Sequence, residues 1–368
     1  MLTVWGVDPN RVKQGHLKAL ECSAVLRDAD VGTWQMSIPS NHPLSRRMND
    51  GWRVVIQDNG QTVLSGPMTE LQMDGASTYT LTGVSDLQHV QDRLLFGDPT
   101  KAWTAQTAEG MYARSGPAET VIRDIVHANV GTGAILARRQ DGFTVTSSQG
   151  RGKTVKIHDR DKKLLDVLRP LARSGGITFD AMQEEDGRIV FRFRMPVDRS
   201  RYVRFTERNG GLEEGSTSRV SPTLNYSMAA GKGLGTYLNR REYQRPSSWG
   251  RRVEEFLDQT STDDDPEIKQ AADEALDEGR EGATAAIKAK EVPGLRFGVD
   301  FWLGDTVTVE IGAATVSEPV RQVELAWDGH DRTAYLALGD HESADERTPK
   351  ELQRIKKIEA QLRSKEAR

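Results

Sequence analysis

Apolar and polar residues alternate with a period of two through much of the first hundred positions. Residues two apart lie on the same face of a strand, so this period predicts antiparallel strands with one buried face. The Asp58-Asn59-Gly60 sequence between two such runs is a hairpin signal. The apolar positions of these runs are Leu20, Cys22, Ala24, Leu26, Trp52, Val54, Ile56, Tyr79 and Leu81. Short strands at this spacing predict a small barrel or sandwich.

The period changes to that of a helix after Pro117, a residue suited to the first helical position. A first apolar stripe consists of Ala118, Val121, Ile122, Ile125 and Val126. A second consists of Leu164, Leu165, Leu168, Leu171 and Ala172, and ends at Ser174-Gly175-Gly176. A strand follows, with Ile189, Phe191 and Phe193 on one face and arginines on the other. This middle region is predicted to be α+β.

Strand-like sequence returns after Pro196 and is interrupted by a helix that we predict from Pro266 to about Lys290. Asp265 is a natural N-cap for it. One side of this helix carries small apolar residues, namely Ile268, Ala272, Ala275, Gly279, Gly282 and Ala286. Such a stripe allows close approach to another surface, although each glycine costs the helix about 1 kcal/mol.

These changes of pattern predict an α+β fold that is mainly β. It has two antiparallel β-barrel-like domains, an α+β insertion and a helical insertion. The expected domains are a first β-barrel-like domain at 1–105, an α+β insertion at 106–200, a second β-barrel-like domain from 201–250 and 292–342, an inserted helix at 251–291 and a helical tail at 343–368.

Composition excludes several classes of protein without choosing a function. The 368 residues suffice for about two or three domains. With 50 basic and 54 acidic residues, the net charge of −4 gives no sign of a nucleic-acid-binding protein. A single cysteine, Cys22, forms no internal disulfide and supports no cysteine-rich metal site. The sequence shows neither a signal peptide nor a membrane span, so we expect folding inside a cell.

Motifs for catalysis or cofactor binding are weak. Ser147 to Thr154 resembles a phosphate-binding loop, but it lacks the first glycine and continues as a strand rather than opening a helix. The histidines are scattered, and the Asp residues beside His158 and His330 form no convincing dyad. We therefore expect no catalytic residues, no metal and no cofactor.

Arginines form the one basic concentration, at positions 188, 192, 194, 199, 201 and 204. The favoured interpretation is a solvated or ion-paired sheet face. Binding of an anionic polymer, which would depend strongly on salt, is the minority interpretation.

Several local patterns resemble one family of phage proteins. Phe297-Gly-Val-Asp-Phe-Trp-Leu-Gly-Asp-Thr-Val-Thr-Val309 is similar to an aromatic-x-x-D-F-x-L-G-D-x-V-x-V element of the minor tail and baseplate-hub proteins of long-tailed, siphovirus-like phages. The segment from Asn209 to Gly233 and the hairpin from Val54 to Gly66 resemble further regions of the actinobacterial phage members. The resemblance extends from about Leu17 to about Gly339.

The resemblance implies a structural virion protein at the tail tip that is not an enzyme. It implies a homotrimer that closes the distal tail tube, adapts it to tip proteins and forms a conduit for the tape-measure protein and DNA. The implied partners are the distal tail protein, the tape-measure protein and receptor-binding or other tip proteins, with assembly in the host cytoplasm. DNA is expected to pass without specific binding, and near-neutral charge agrees with that.

Two alternatives belong to other classes. One is a cell-wall-active tail-tip enzyme, for which no acid–base pair is evident. The other is a receptor- or carbohydrate-binding tail protein, for which Trp5, Trp103 and Trp249 in expected loops are the only indication. Aromatic loop residues more often dock against their own protein.

Two helical segments are predicted to contact other subunits or partners. The first is the helix after Pro266 and the second is the charged C-terminal tail with its thin apolar seam. The candidate interface residues are Ile268, Ala272, Ala275, Gly279, Leu352, Ile355 and Leu362.

Overall fold

A computed structural model describes residues 2–74, 77–107, 110–233, 235–260, 262, 264–290 and 292–339. The chain divides into two compact units, neither of which is continuous in sequence. The first contains residues 2–197, 296–305 and 322–334. The second contains residues 198–295, 306–321 and, within the described part, 335–339. The predicted segments 1–105 and 106–200 therefore lie almost entirely in the first unit.

The first hundred residues form antiparallel strands, as the alternation predicts. The elements are β1 (Leu2–Val7), β2 (Lys13–Leu17), β3 (Glu21–Arg27), β4 (Thr33–Pro39), β5 (Arg53–Asp58), β6 (Gln61–Asp74), β7 (Thr78–Val84) and the short helix α1 (Gln88–Gln91). The predicted hairpin is confirmed: Asn59 and Gly60, between β5 and β6, have φ of 49° and 83°. Both angles suit a tight hairpin turn.

The middle region alternates strands with two amphipathic helices. Its elements are β8 (Tyr112–Pro117), α2 (Ala118–Asn129), β9 (Phe143–Val145), β10 (Thr154–Asp159), α3 (Leu164–Gly175), β11 (Thr178–Gln183) and β12 (Ile189–Arg194). The two predicted helical stripes and the predicted strand at Ile189 are confirmed. Gly176 ends α3 with a φ of 68°, a conformation that glycine adopts without steric cost.

The remaining elements are mostly strands. They are β13 (Arg204–Thr206), β14 (Leu212–Val220), β15 (Tyr226–Ala230), β16 (Arg240–Gln244), β17 (Glu254–Asp258), α4 (Asp265–Glu278), β18 (Gly282–Ala289), β19 (Thr306–Ile311), β20 (Ala314–Trp327) and β21 (Arg332–Leu338). Among the described residues, short 3-10 helices are also found at Trp103–Ala105, Leu136–Arg138 and Gly235–Tyr237.

The main sheet of the first unit runs in the order β3–β4–β7–β6–β5–β1–β2, and residues 322–327 of β20 pair with β3. Neighbouring strands are antiparallel. Trp34 is 2% exposed and lies opposite Gly83, where an added Cβ would come within 2.3 Å of the indole ring. Gly83 therefore makes room for the buried indole of Trp34.

A second core of the first unit lies between α2, α3 and the sheet β11–β12–β9. It contains Ile122, Ile125, Leu168, Phe143 and Phe191, all 1% exposed or less. Phe179 stacks on Phe191 with ring centroids 5.1 Å apart. The apolar stripes of both helices thus face a single aromatic centre.

The described strands of the second unit form two sheets. Strands β14, β18 and β21 are neighbours in that order, and β21 pairs with β20. Strand β13 pairs with β19, which pairs with the first residues of β20. Strands β16, β15 and β17 form a separate small sheet. The fold is mainly β, as predicted. Among the described residues no sheet closes on itself, since the strand orders end at β2 in the first unit and at β14 in the second, so the barrel-like part of the prediction is wrong.

The helix predicted from Pro266 to Lys290 is too long. The α4 helix ends at Glu278, and residues 282–289 form β18, which pairs with β14. Two glycines three residues apart weaken the helix at this point. The hydrogen bonds of a long partner strand then decide the conformation of Gly282 and Ala286.

Candidate interaction surfaces

The small-residue stripe of α4 packs against its own unit. Ile268 and Ala272 are 0% exposed. An added Cβ on Gly231, directly after β15, would lie 2.5 Å from Ile268 Cδ1. An added Cβ on Gly279 would lie 2.3 Å from the Cβ of Leu224. The predicted close approach exists, and the surface approached is the chain's own sheet.

This packing changes the interface hypothesis for α4. Ile268, Ala272 and Gly279 are buried within the second unit, and Ala275 is half-buried, so these side chains offer little surface to a partner. The reason is that the helix has only one apolar side, which its own sheet covers. The other three candidates, Leu352, Ile355 and Leu362, lie outside the described residues.

The arginine-rich strand is ion-paired, as the favoured interpretation holds. Arg192 Nε lies 2.7 Å from Asp180 Oδ1, and Arg188 Nε lies 2.6 Å from Asp186 Oδ2. Arg204 pairs with Glu310. These carboxylates neutralise much of the basic face that the sequence displays.

Asp305, in the Gly-Asp turn of the phage-like element, is a fully buried carboxylate. It accepts hydrogen bonds from Arg194 Nη1 at 2.7 Å, from the Val197 backbone N–H at 2.9 Å and from the Trp302 N–H at 3.1 Å. Gly304 before it has a φ of 79°. The motif therefore ties the turn at 302–305 to the segment after β12. Sequence reasoning identified the turn but not the arginine it binds.

A second buried polar cluster holds α1 and β11 to the main sheet of the first unit. Asp86 is 0% exposed, forms an ion pair with Arg53 and accepts a hydrogen bond from Ser65 Oγ at 2.6 Å. The backbone N–H of Gln183 donates to Ser65 Oγ at 2.6 Å. His89 Nε2 lies 3.6 Å from Asp86, and burial lowers the pKa of His89 below its usual value. The sequence gives no sign of this cluster, because its members come from four separate segments.

The residues considered for catalysis or phosphate binding lie in a hydrogen-bonded turn and in a strand. The backbone N–H groups of His330 and Asp331 donate to Asp328 Oδ1 in the turn before β21. Residues 154–159 form β10, so the segment that resembles a phosphate-binding loop continues as a strand and does not open a helix, as expected. In the described part of the chain, no group of three His, Cys, Asp or Glu side chains is arranged to hold a metal ion.

The three tryptophans considered for receptor binding differ in their surroundings. Trp5 lies in β1, not in a loop, and its indole N–H donates to Gln57 at 2.9 Å. Trp103 is 56% exposed and contacts Phe96, with ring centroids 5.5 Å apart. Trp249, in the turn between β16 and β17, is 44% exposed.

The small sheet β16–β15–β17 has one covered and one open face. The α4 helix covers the face that carries Ser227 and Ala229, which are 1% and 2% exposed. On the opposite face Phe256 is 63% exposed, and the guanidinium of Arg252 stacks 3.8 Å from the centre of the Tyr226 ring. Among the described strands, β16 and β17 each pair on one side only.

Three solved structures with low sequence identity share the fold. A 43 kDa tail protein of prophage MuSo2 from Shewanella oneidensis has a TM-score of 0.59 and 10% identity, with 92% of this chain and 97% of that chain covered. A tail protein from Neisseria meningitidis MC58 has a TM-score of 0.57 and 12% identity, with 92% and 96% covered. The prophage tail protein gp18 from Listeria monocytogenes EGD-e has a TM-score of 0.56 and 12% identity, with 96% and 99% covered.

Sequence comparison gives the family. No curated protein sequence matches the chain. No helix in the described ranges has the length and apolarity needed to cross a membrane. Residues 2–340 match the profile of the family described as Siphovirus ReqiPepy6 Gp37-like protein. The chain therefore belongs to this siphovirus family and has the fold of the solved tail proteins named above.

Proposed function

We propose that the chain is the hub at the distal end of a siphovirus tail. In this role three copies close the tail tube, adapt it to the tip proteins and form the passage for the tape-measure protein and DNA. The observation that carries the proposal is the match of residues 2–340 to one siphovirus family, in a chain with the fold of phage tail proteins. The two-unit, mainly β architecture with an α+β region supports it.

The proposed partners are the distal tail protein, the tape-measure protein and the receptor-binding or other tip proteins. The protein would assemble in the host cytoplasm and remain at the tail tip of the virion. The ion pairing of the arginine-rich strand supports passage of DNA without specific binding, because neutralised arginines release few counterions from phosphate.

Phage genetics tests the location. Mass spectrometry of purified virions is expected to detect the chain, and gold-labelled antibodies are expected to mark the tail tip in electron micrographs. Deletion of the gene is expected to give non-infectious particles with defective tails. Absence of the chain from purified virions would overturn the proposal.

Light scattering tests the trimer. The purified full-length chain is expected to form a species of three 40.9 kDa subunits, at least at high protein concentration. A monomer at every accessible concentration, together with a virion reconstruction that lacks threefold density, would contradict the trimer.

We infer a structural role without catalysis. A zymogram on host peptidoglycan is expected to show no clearing by the purified chain. A cleared band that co-migrates with the protein would reassign it to the cell-wall-active class.

A further inference from the structure

The two edges of the small sheet present matching sets of backbone groups. Val253 O accepts from the Tyr226 N–H at 3.0 Å, and the Gln259 N–H donates to Ala230 O at 2.7 Å. Since successive residues of a strand point their backbone groups to opposite sides, Glu254, Phe256 and Asp258 direct theirs away from β15. The outer edge of β17 therefore offers the N–H and C=O groups of three residues.

The edge of β16 has the same length. The Arg245 N–H donates to Asn225 O at 3.0 Å, and Asn239 O accepts from the Gly231 N–H at 2.7 Å. By the same alternation, Arg240, Glu242 and Gln244 direct their backbone groups outward. Both edges thus present three outward-facing residues at alternate positions.

The two edges carry opposite charge at the ends that would meet. On β16 and directly after it, Arg241 and Arg245 pair with Asp265 and Asp277 of the same chain, and Glu242 lies 3.1 Å from Arg252, so the basic charge of this edge lies at Arg240. On β17, Glu254 also pairs with Arg252, and the acidic charge of this edge lies at its end, at Asp258. Four of the five residues of β17 are exposed, Leu257 being the exception, and four of the five residues of β16 are exposed, Tyr243 being the exception. Two edges of equal length, with Arg240 at the start of one and Asp258 at the end of the other, favour antiparallel contact between copies.

We propose that β16 of one copy pairs with β17 of the next copy, edge to edge. Because β16 is antiparallel and β17 parallel to β15, the two edge strands run in opposite directions. When copies follow one another in the same orientation, β16 of one copy is therefore antiparallel to β17 of the next. Aligning the outward-facing residues places Asp258 opposite Arg240, Phe256 opposite Glu242 and Glu254 opposite Gln244. The contact joins two different surfaces, so repetition forms a ring when the rotation closes.

This inference rests on the proposed trimer, for which it supplies a subunit contact. The competing interpretation is that the charges protect the edges from association, as charged residues do on many edge strands. The two interpretations predict opposite results for variants that alter only the outward-facing groups.

The backbone of the β17 edge is tested with Phe256→Pro, and Phe256→Val is its matched control. Both variants remove the exposed ring, but only proline removes the outward N–H, and proline is tolerated on edge strands. Mass photometry of the full chain is expected to show self-association weakened about tenfold or more by proline, and little changed by valine. Equal association of the two variants would overturn the proposal, provided that circular dichroism shows both folded.

The charges are tested by reversing the sign of each one, singly and together. Arg240→Glu and Asp258→Lys are each expected to weaken association, and the double variant is expected to restore it. Asp258 also accepts hydrogen bonds from the N–H and hydroxyl of Thr260. Asp258→Asn is therefore the control that keeps an acceptor for this turn. Failure of the double variant to recover, with both single variants impaired, would refute the assigned register.

Hydrogen exchange separates this inference from the proposed function. In a concentrated sample the amides of Glu242, Phe256 and Asp258 are expected to exchange at least about tenfold more slowly than in a dilute one, because they become hydrogen-bonded. A trimer that persists in Phe256→Pro, with no slowed exchange at the amides of Glu242 and Asp258, refutes the edge contact and leaves the hub. A wild-type chain that never associates, in solution or in the virion, refutes both.

Discussion

At the scale of single residues, two buried acids hold segments distant in sequence. Asp305 binds Arg194 and two backbone N–H groups, and Asp86 binds Arg53 and Ser65. A buried carboxylate is stable only when its oxygens are hydrogen-bonded or paired with a cation. These acids therefore fix which segments meet, in addition to adding stability.

Asp305→Asn is expected to destabilise the protein. The amide keeps the size of the side chain but removes the charge that faces Arg194, and its NH₂ group replaces an acceptor. We expect a loss of about 2 kcal/mol in the free energy of unfolding, measured with urea. Asp186→Asn breaks the exposed ion pair with Arg188 and is expected to change the free energy of unfolding little. Similar midpoints for the two variants would contradict the assigned role.

Cys22 is predicted to be inert in the native protein. Its side chain lies in the core at 3% exposure, and burial raises the pKa of the thiol to about 12. Because the thiolate is the reactive form, a disulfide reagent is expected to label the native chain very slowly from pH 7 to pH 9 and rapidly in urea. Rapid labelling without denaturant would show that the strand opens readily.

His89 is predicted to make stability depend on pH. Burial lowers its pKa in the folded state, so the unfolded chain binds more protons as the pH falls through the usual value near 6.5. Stability is therefore expected to be present above that pH and to fall on acidification from pH 7 to 5. His89→Gln is expected to flatten this dependence. An unchanged slope in the variant would assign the effect to other groups, of which His127, also with a lowered pKa, is the first to test.

At the scale of elements, α4 shows how small residues set the distance between a helix and a sheet. Gly231 and Gly279 leave no room for a side chain, and Ile268 and Ala272 fill the remaining space. The helix carries few apolar residues, so this close contact supplies much of what holds it in place.

Gly231→Ala is expected to couple with Ile268→Val. The new Cβ would overlap Ile268 Cδ1, the atom that valine lacks. Alone, each change is expected to cost about 1–2 kcal/mol. Together they are expected to cost clearly less than the sum, as a double-mutant cycle of urea midpoints would measure. Additive costs would show that α4 is not packed on Gly231.

At the scale of the whole molecule, both units are assembled from separated parts of the chain. In the first unit, residues 322–327 of β20 pair with β3, and Arg332 forms a buried ion pair with Asp58 at 2.6 Å. Late residues thus complete a sheet that the first residues begin. Such long-range pairing makes folding slow and sensitive to truncation.

A fragment of residues 1–197 is therefore expected to fold poorly. It leaves β3 without its β20 neighbour and leaves Asp58 without Arg332. We expect a broad, low-temperature melt by circular dichroism and a tendency to aggregate through the open strand edge. The full-length chain is the control. A fragment that melts as cooperatively as the full chain would show that the late residues are dispensable.

The local elements were largely predictable, and the contacts between them were not. The alternation around Cys22 and the stripes of α2 and α3 predicted strands and helices correctly, because periodicity follows directly from which face is buried. The end of α4 was predicted wrongly, because a strand partner far away in sequence competes with local helix propensity. The outward-facing groups of β16 and β17 were not visible at all, since they depend on which side of each strand β15 occupies.

The sequence by itself determined the mainly β composition, the amphipathic helices, the burial of Cys22 and the resemblance to phage tail proteins. Those properties are encoded in the period and order of residues along the chain. Only the tertiary structure decided that the sheets stay open, that α4 packs on its own unit, and that Asp305 and Asp86 join distant segments. The physical reason is that hydrogen bonds between strands and the pairing of buried charges depend on residues brought together by folding, and their spacing along the chain does not specify their partners.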